Sequence, residues 1–403
     1  MSFPTEWLTT RLTNGIAVVQ FAWSDAASFS IVLAVPAGAR TEQAGESGIS
    51  HFLEHCYALG TLRFGMPAID RIIESHRGSR GALTTHDCTM HFATLAPEAM
   101  ETMLDMEADR LANLDLPADD VGIQRAIVLK ERQERTEIAP AGALIHRLLA
   151  AAYRRHPYGT AVVGRHEDVM RLTPEHLLAY HRRHYTPSNI AFVVAGGGDP
   201  DRTLRLFDRY FGQLPPGSPY AVEPVPEPEQ TETSRVVFHH PRATAPRLAM
   251  LWKVPPLDHP DTPPLLVLER LLLSALPVLQ GGHWQYRDRG PFTLATSTDD
   301  RSSHEWVELA CDAVLDSLGR RGPDDMELHA ARAAATQRLP DPLREQINLA
   351  CSLSQFQVTS TAGAARVNEL LQGIAGVTSA DIRRCASQYF RPEKKTVVSM
   401  LPG

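Results

Sequence analysis

The sequence predicts an α+β fold made of two related domains from an internal duplication, each a mainly antiparallel sheet packed with helices. Its 403 residues, 43% of them hydrophobic, are too many for one ordinary core and enough for two. Strand-like and helix-like segments occur on both sides of a proline- and glutamate-rich stretch, without the regular alternation of a doubly wound fold. We therefore expect domains at residues 1–213 and 235–403, joined by a linker at residues 214–234.

The individual elements follow from runs of apolar residues. Their strand or helix character is read from length, periodicity and the turn residues that bound them. The expected strands are Ile16–Phe21, Ser28–Val35, Ile190–Ala195, Arg235–Phe238 and Leu248–Val254, with a helix near Pro264–Ser274 and a long helical stretch from Asp324.

The two halves resemble one another around one strand and the helix that follows it. Val32-Leu-Ala-Val-Pro precedes Gly48-Ile-Ser-His-Phe-Leu-Glu-His, and Met250-Leu-Trp-Lys-Val-Pro precedes Pro264-Leu-Leu-Val-Leu-Glu-Arg. An internal duplication explains this economically, and a chance similarity of two apolar helices is the alternative. Under the duplication the second half has lost two histidines. The positions of His51, Glu54 and His55 are there taken by Leu266, Glu269 and Arg270.

The composition argues against several classes of function. The net charge is −7 and the basic residues are scattered, unlike the concentrated positive charge of a nucleic-acid-binding protein. No segment has about 18 consecutive apolar residues, and the first residues lack a basic patch followed by an apolar core. Five cysteines without a C-x-x-C pair are typical of reduced thiols. We expect a soluble cytoplasmic protein with neither nucleic acid nor membrane as a partner.

Residues 48–58 contain the pattern H-x-x-E-H on a predicted helix. Residues three and four apart share a helix face, so the side chains of His51, Glu54 and His55 project into one small volume. Two helical histidines can hold zinc, and a neighbouring glutamate that is not a ligand can act as the general base. This is the arrangement of the inverted zincins. Because the chain has 17 histidines, the pattern also arises by chance and needs support from its context.

A catalytic zinc needs a third protein ligand, and Glu131 is the candidate. The segment from Asp119 to Glu137 is predicted to be helical, with Ile123, Ile127 and Val128 on one apolar face. Glu131 follows Val128 by one turn and therefore lies on that face. A glutamate on an exposed helix is common without a function, so this assignment depends on the histidines.

Other residues near these motifs have simpler explanations. Cys56 is interpreted as a small apolar residue on a buried helix face, with metal ligation as the alternative. His181 and His184 could share a helix face, but the arginines between them indicate a solvated face.

Several segments together resemble the pitrilysin family of inverted-zincin metallopeptidases. They are GISHFLEHCYALGT at residues 48–61, GALTTHDCTMHFA at 81–93, HPYGTAVVG at 156–164 and YTPSNIAFVVAG at 185–196, together with the separation of His55 from Glu131. The best match is to the short two-domain members similar to mitochondrial processing peptidase and bacterial processing proteases. The resemblance covers nearly the whole first half and fades in the second. It implies two related α+β domains, Zn²⁺ as cofactor and cleavage of extended peptides in a chamber closed by a second subunit.

The resemblance also assigns roles to single residues. It places the zinc ligands at His51, His55 and Glu131 and the general base at Glu54. The stretch 81–93 resembles an edge strand that binds an extended peptide by main-chain hydrogen bonds, which makes Ala82, Leu83 and Thr84 the candidate substrate-binding residues.

The chain departs from the family pattern at three places. Members commonly keep a second glutamate on the helix of the ligand glutamate, and Gln124 stands there. Gly81 and Ala82 stand where the family usually has asparagine and alanine. In the second half, the stretch from Gln280 to Thr293 lacks an arginine and a tyrosine at the expected positions.

These observations favour a zinc-dependent metalloendopeptidase subunit that cleaves extended or precursor peptides. The alternative is a non-catalytic scaffold or peptide-binding subunit of the same fold. Because the second half offers a weak substrate anchor, we expect a heterodimer with a related metal-free subunit, and a homodimer is the other possibility. The sequence identifies neither the substrate nor the cleavage position.

Overall fold

The computed structural model of the protein describes residues 7–22, 26–220, 223, 225–337, 339 and 346–403. The strands are β1 (Leu8–Arg11), β2 (Ala17–Ala22), β3 (Phe29–Val35), β4 (Ser79–Thr84), β5 (Thr89–Leu95), β6 (Ala191–Gly196), β7 (Ser234–His240), β8 (Arg247–Val254), β9 (Gln280–His283), β10 (Gly290–Ser297) and β11 (Lys395–Pro402). The α-helices are α1 (Ile49–Tyr57), α2 (Met66–Ser75), α3 (Met100–Asn113), α4 (Ala118–Gln133), α5 (Pro140–Ala152), α6 (His166–Arg171), α7 (Pro174–His184), α8 (Pro200–Phe211), α9 (Thr262–Ala275), α10 (Ser302–Arg320), α11 (Asp325–Thr336), α12 (Gln346–Thr359), α13 (Arg366–Gly376) and α14 (Ser379–Tyr389).

The chain packs as two compact units that draw on segments from both halves. The first unit takes its described residues from 1–131, 162–223 and 340–365, and the second from 132–161, 224–339 and 366–403. Helix α5 lies in the first half of the sequence but packs in the second unit, and α12 lies in the second half but packs in the first unit. Each covers a face of the sheet in its unit. The domain limits 1–213, 214–234 and 235–403 stay a prediction about the duplicated sequence.

The first unit contains a six-stranded sheet in the order β1-β2-β6-β3-β5-β4. Strands β2 and β6 are parallel and all other neighbours are antiparallel. Alternate residues of β3, such as Phe29 and Leu33, enter the core beneath α1, α3 and α8. Helix α12 packs on β3, β5 and β6, and Gln346 at its start donates to the carbonyl of Ser28. Coverage of both faces explains why every residue of β3 and β6 is buried.

The second unit contains a five-stranded sheet in the order β7-β11-β8-β10-β9. Strands β7 and β11 are parallel and the other neighbours are antiparallel. Leu144 and Leu148 of α5 share a core with Leu251 of β8 and Met400 of β11. Helices α9 and α14 also contact this sheet, so a strand such as β8 is buried along nearly its whole length.

The two sheets share one pairing scheme, in which an early strand lies parallel to the last strand of its unit and the rest follow antiparallel. This confirms the predicted α+β fold of two related domains. Glu269 of α9, the counterpart of Glu54, is fully buried and forms an ion pair with Arg270. Its second oxygen accepts from the backbone N–H of His283 at 2.8 Å. An ion pair therefore occupies the positions that correspond to Glu54 and His55 of the first unit.

Among the described helices, none is both long and apolar enough to cross a bilayer.

Helix α12 should contribute measurably to the stability of the first unit. Leu353 is fully buried. We expect Leu353→Ala to lower the free energy of unfolding by about 2–5 kcal/mol, because it leaves a cavity between α12 and its neighbours. Urea unfolding followed by circular dichroism measures this. The same substitution at Leu62, which is 94% exposed, is the matched control, with an expected change below about 0.5 kcal/mol. Equal effects of the two substitutions would contradict the role of α12.

Candidate metal and catalytic site

Helix α1 begins at a point where only glycine fits. Gly48 has a φ of +93°, and a Cβ there would lie 2.9 Å from Gly164 Cα. The backbone N–H groups of Gly48 and Ser50 donate to the Glu42 carboxylate at 2.8 and 3.1 Å. Glu42 thus satisfies donors that the first turn of a helix leaves without a partner. The start of α1 is fixed in position and direction.

The two sides of α1 have different tasks. Phe52, Leu53 and Cys56 are fully buried in the core of the first unit. This confirms that Cys56 is a small residue on a buried helix face. The helical period then places His51, Glu54 and His55 away from this core contact.

Glu131 of α4 completes a convergent group with the two histidines. Its Oε2 atom lies 3.5 Å from Nε2 of His51 and 3.1 Å from Nε2 of His55. Ligand atoms of the three residues all lie within 4.8 Å of one another, and no second group of this kind occurs among the described residues. Two imidazole nitrogens and one carboxylate oxygen are the donor set of a catalytic zinc site with an open position. The residues therefore fit a zinc ion.

Helix α4 presents a different apolar face from the one predicted. Val121 and Val128 are buried, whereas Ile123 is 59% and Ile127 45% exposed. The expectation that Ile123 and Ile127 share the buried side with Val128 is wrong. Successive residues are rotated by about 100° around the helix axis, so neither isoleucine lies on the same side as Val128. Glu131, with 22% of its side chain exposed, lies at the border between the two sides.

Gln124 also belongs to this site, since its side chain forms a hydrogen bond with His55. Burial lowers the pKa of His55, but the hydrogen bond that its ring donates to Glu131 and the charges of Glu54 and Glu131 outweigh this effect. The net direction is upward from the usual histidine pKa. Acidic neighbours thus dominate the electrostatics around His55.

Glu54 does not belong to the convergent group and forms a separate contact. The hydroxyl of Thr84 donates to its Oε2 at 2.5 Å. Thr84 ends strand β4, which pairs with β5 and is the last strand of its sheet among the described strands. An acid that is close to the histidines but held by another partner has the geometry expected of a general base.

Strand β4 brings the other predicted substrate-binding residues to the same place. Ala82 lines a cavity beside Glu54, and Leu83 is 47% exposed. Gly81 lies over the ring of Phe92, which a Cβ would approach to 2.6 Å. The ring therefore occupies space that a larger residue at position 81 would need, which gives a physical reason for this departure from the family pattern.

The cavity has a volume of about 400 Å³, and the sequence analysis did not find two of its polar residues, Glu107 and Arg110. Ile69, Phe92 and Met103 provide apolar walls, and Glu107 and Arg110 add a buried ion pair. Nη1 of Arg110 donates to Glu107 at 2.5 Å. The only sequence signal was an acid and a base three residues apart on α3. Such spacing is indistinguishable from that of an ordinary surface pair.

The histidines of α7 were misinterpreted from the sequence. His181 and His184 are both buried, at 5% and 2% exposure, and do not form a solvated face. His181 stacks on Tyr185 with ring centroids 4.8 Å apart. Burial and the neighbouring charges of Arg182 and Arg110 lower the pKa of His181 to about 3. Its role is that of a neutral core residue.

Comparisons with known proteins find relatives of this chain among peptidases. Residues 19–165 match the family described as Insulinase (Peptidase family M16), and residues 171–335 match the one described as Peptidase M16 inactive domain. The zinc protease PqqE of Helicobacter pylori is 29% identical over 410 residues, which cover 97% of this chain and 92% of that protein. The probable mitochondrial-processing peptidase subunit beta of Schizosaccharomyces pombe is 30% identical over 210 residues, 52% of this chain and 46% of the relative.

Solved structures share the fold over the whole chain. The crystal structure of a protease from Helicobacter pylori aligns with a TM-score of 0.91 at 23% identity and covers all of both chains. A peptidase M16 inactive domain from Pseudomonas fluorescens aligns with a TM-score of 0.86 at 16% identity, covering 99% of this chain and 98% of that one.

Glu42 should make stability depend on pH. Burial raises its pKa from 4.5 to about 7, although the hydrogen bonds from Gly48 and Ser50 oppose this. Between these values the folded protein binds more protons than the unfolded chain, so the free energy of unfolding falls as the pH rises. The loss is on the order of 3 kcal/mol. In Glu42→Gln this contribution should be absent. Urea unfolding of both proteins from pH 4.5 to 8 in chelator measures it, and parallel curves would contradict it.

Proposed function

We propose, because this chain belongs to the M16 family of peptidases, that it is a zinc-dependent endopeptidase subunit that cleaves extended peptides or precursor peptides. The observation that carries the proposal is the convergence of His51, His55 and Glu131, with Glu54 beside them and bound by Thr84. All four residues of the constellation are present, and relatives that bear the name zinc protease support zinc as the cofactor.

His51, His55 and Glu131 would hold the zinc ion. When bound, zinc supplies a Lewis acid that polarises the scissile carbonyl and makes a water molecule acidic near neutral pH. The carboxylate of Glu54 takes the proton of the attacking water and passes it to the leaving amine. Glu54 lies on α1 three residues after His51 and directly before His55, which keeps its carboxylate near the reacting groups.

The substrate peptide would bind along β4. Among the described strands β4 pairs with β5 alone, so the polar main-chain groups on its outer edge can pair with an extended peptide at Ala82, Leu83 and Thr84. Main-chain pairing recognises an extended backbone in preference to a particular sequence. This mode suits an enzyme that cleaves unfolded peptides or presequences.

A non-catalytic scaffold or peptide-binding subunit is the alternative function. It is favoured by Gln124, which lacks the charge of a glutamate, and by the name of the family matched at residues 171–335, which describes an inactive domain. The intact ligand set in the first unit favours the enzyme, because a scaffold has no need of three convergent metal ligands. The two functions differ in whether the purified protein contains zinc and hydrolyses peptides.

We further propose a heterodimer with a related metal-free subunit. The stretch from Gln280 to Thr293 carries no arginine–tyrosine pair at the expected positions, and relatives are named as beta subunits of mitochondrial-processing peptidase. A partner that supplies such a pair would orient the peptide across the zinc site.

A cytoplasmic location is proposed as well, because all five cysteines are free thiols.

Variants of the constellation should separate metal binding from catalysis. Glu54→Gln should retain zinc and lose hydrolysis by at least about a hundredfold, since a base is removed but no ligand. His51→Ala and Glu131→Ala should lose the metal itself. Metal analysis of the purified proteins and hydrolysis of a quenched fluorescent peptide library measure both properties, with chelator-treated wild type as reference. Full zinc occupancy of the alanine variants would show that the ligand set is wrong. Undiminished hydrolysis by Glu54→Gln would refute the mechanism.

The partner hypothesis predicts that activity depends on a second chain. We expect the isolated protein to hydrolyse extended peptides slowly, and a related subunit that carries the arginine–tyrosine pair to raise the rate at least about tenfold by orienting the peptide. Size-exclusion chromatography of each chain and of the mixture, followed by peptide assays, tests this. A stable homodimer that is as active as any mixture would contradict it.

A further inference from the structure

We propose that Thr84 is a positioning residue for the general base, acting through the orientation of the Glu54 carboxylate. The inference rests on the proposed function and adds a residue whose side chain has so far had no part in the reaction. The substrate-binding role expected for Thr84 concerned its main chain. Its side chain points into the protein, and only 7% of the residue is exposed.

The contact between Thr84 and Glu54 is short and has one possible direction. Oγ1 of Thr84 lies 2.5 Å from Oε2 of Glu54. An ionised carboxylate only accepts hydrogen bonds, so the hydroxyl must donate. Hydrogen bonds to a charged acceptor are shorter and stronger than neutral ones. The hydroxyl therefore fixes one oxygen of the base while the base is in the form that can take a proton.

The neighbouring Thr89 leaves the hydroxyl of Thr84 available for Glu54. Thr89 lies opposite Thr84 on β5, with the two hydroxyl oxygens 3.4 Å apart. The Thr89 hydroxyl donates to the carbonyl of Ala37 at 2.8 Å. Because each hydroxyl has one hydrogen, both donors are then assigned.

The backbone around Thr84 is rigid enough to position a side chain. The residue ends β4 and is followed directly by a tight turn, in which the N–H of Thr85 donates to the carbonyl of Cys88 at 2.8 Å. The hydroxyl of Thr85 accepts from the N–H of Cys88 at 3.0 Å. Thr84 is thus held by strand pairing on one side and by the turn on the other. The short side chain that carries the hydroxyl is therefore attached to a fixed backbone.

This arrangement connects the peptide-binding edge with the base. The main chain of β4 pairs with the substrate under the proposed function, and the same strand carries the donor that orients Glu54. The scissile bond and the base are then positioned by a single element. Positioning of this kind affects the rate of the chemical step more than the binding of substrate.

The test compares Thr84→Val, which keeps the shape and removes the hydroxyl, with Thr84→Ser, which keeps the hydroxyl. We expect Thr84→Val to lower kcat about tenfold to a hundredfold with KM within about twofold and zinc content unchanged, because a hydrogen bond to a charged group is lost. Thr84→Ser should recover most of the activity. Thr84→Ala serves as a second variant without the hydroxyl should the valine protein not fold.

The matched control is Thr94→Val. Thr94 lies on β5, and its hydroxyl bonds that of Ser30 at 2.7 Å, so this variant loses a hydrogen bond of the same sheet away from Glu54. Its kcat should equal that of the wild type. Unchanged kcat in Thr84→Val, a serine variant as impaired as the valine variant, or an equal loss in Thr94→Val would overturn the positioning role while leaving the proposed function intact. A wild-type protein that shows no zinc-dependent hydrolysis would instead overturn the proposed function and this inference with it.

Discussion

Helix α1 has to bury Phe52, Leu53 and Cys56 against the core of the first unit, and most of the site depends on this packing. With that side fixed, the helical period leaves no choice about where the two histidines and Glu54 project. The hydrogen bonds from the first turn to Glu42 and the glycine at position 48 set the start of the helix. The positions of α4 and β4 around α1 then decide the chemistry, since α4 contributes Glu131 and β4 contributes Thr84.

The second unit shows what the same framework becomes without the histidines. A carboxylate at the position of Glu54 persists as Glu269, fully buried, where an uncompensated charge would be very unfavourable. Arg270 and the N–H of His283 provide the compensation. In the first unit the corresponding acid, Glu54, accepts a hydrogen bond from the neutral hydroxyl of Thr84 and lines a cavity together with His55. The corresponding carboxylates are thus held in two ways, by an ion pair in the second unit and by a hydroxyl group in the first.

The closeness of His51 and His55 was predictable because its information is local. His51 and His55 lie one turn apart on a single helix, so their convergence needs nothing more than helix formation. The long strands β3, β6 and β8 were recognised for a similar reason, as apolar runs of strand length.

What the sequence did not predict depends on long-range packing. The segment containing α12 follows the second sheet in sequence yet covers the first one, and no local pattern records which sheet a helix will meet. The exposure of Ile123 and the burial of His181 have the same cause, because neighbouring elements determine which side of a helix is covered. The bond between Thr84 and Glu54 joins residues thirty positions apart and likewise has no local signal.

Gln124 can be understood in these terms as a neutral side chain that contacts His55. A carboxylate at this position would add a third negative group to Glu54 and Glu131, and mutual repulsion would raise the free energy of the site without a metal. The amide keeps a hydrogen bond to His55, and its carbonyl can orient the ring as a carboxylate would. The neutral amide of Gln124 does not provide the electrostatic attraction that a carboxylate would exert on a cation. Under the proposed function, the amide would help to orient His55, and the attraction for zinc would come from the ligands and from the charge of Glu54.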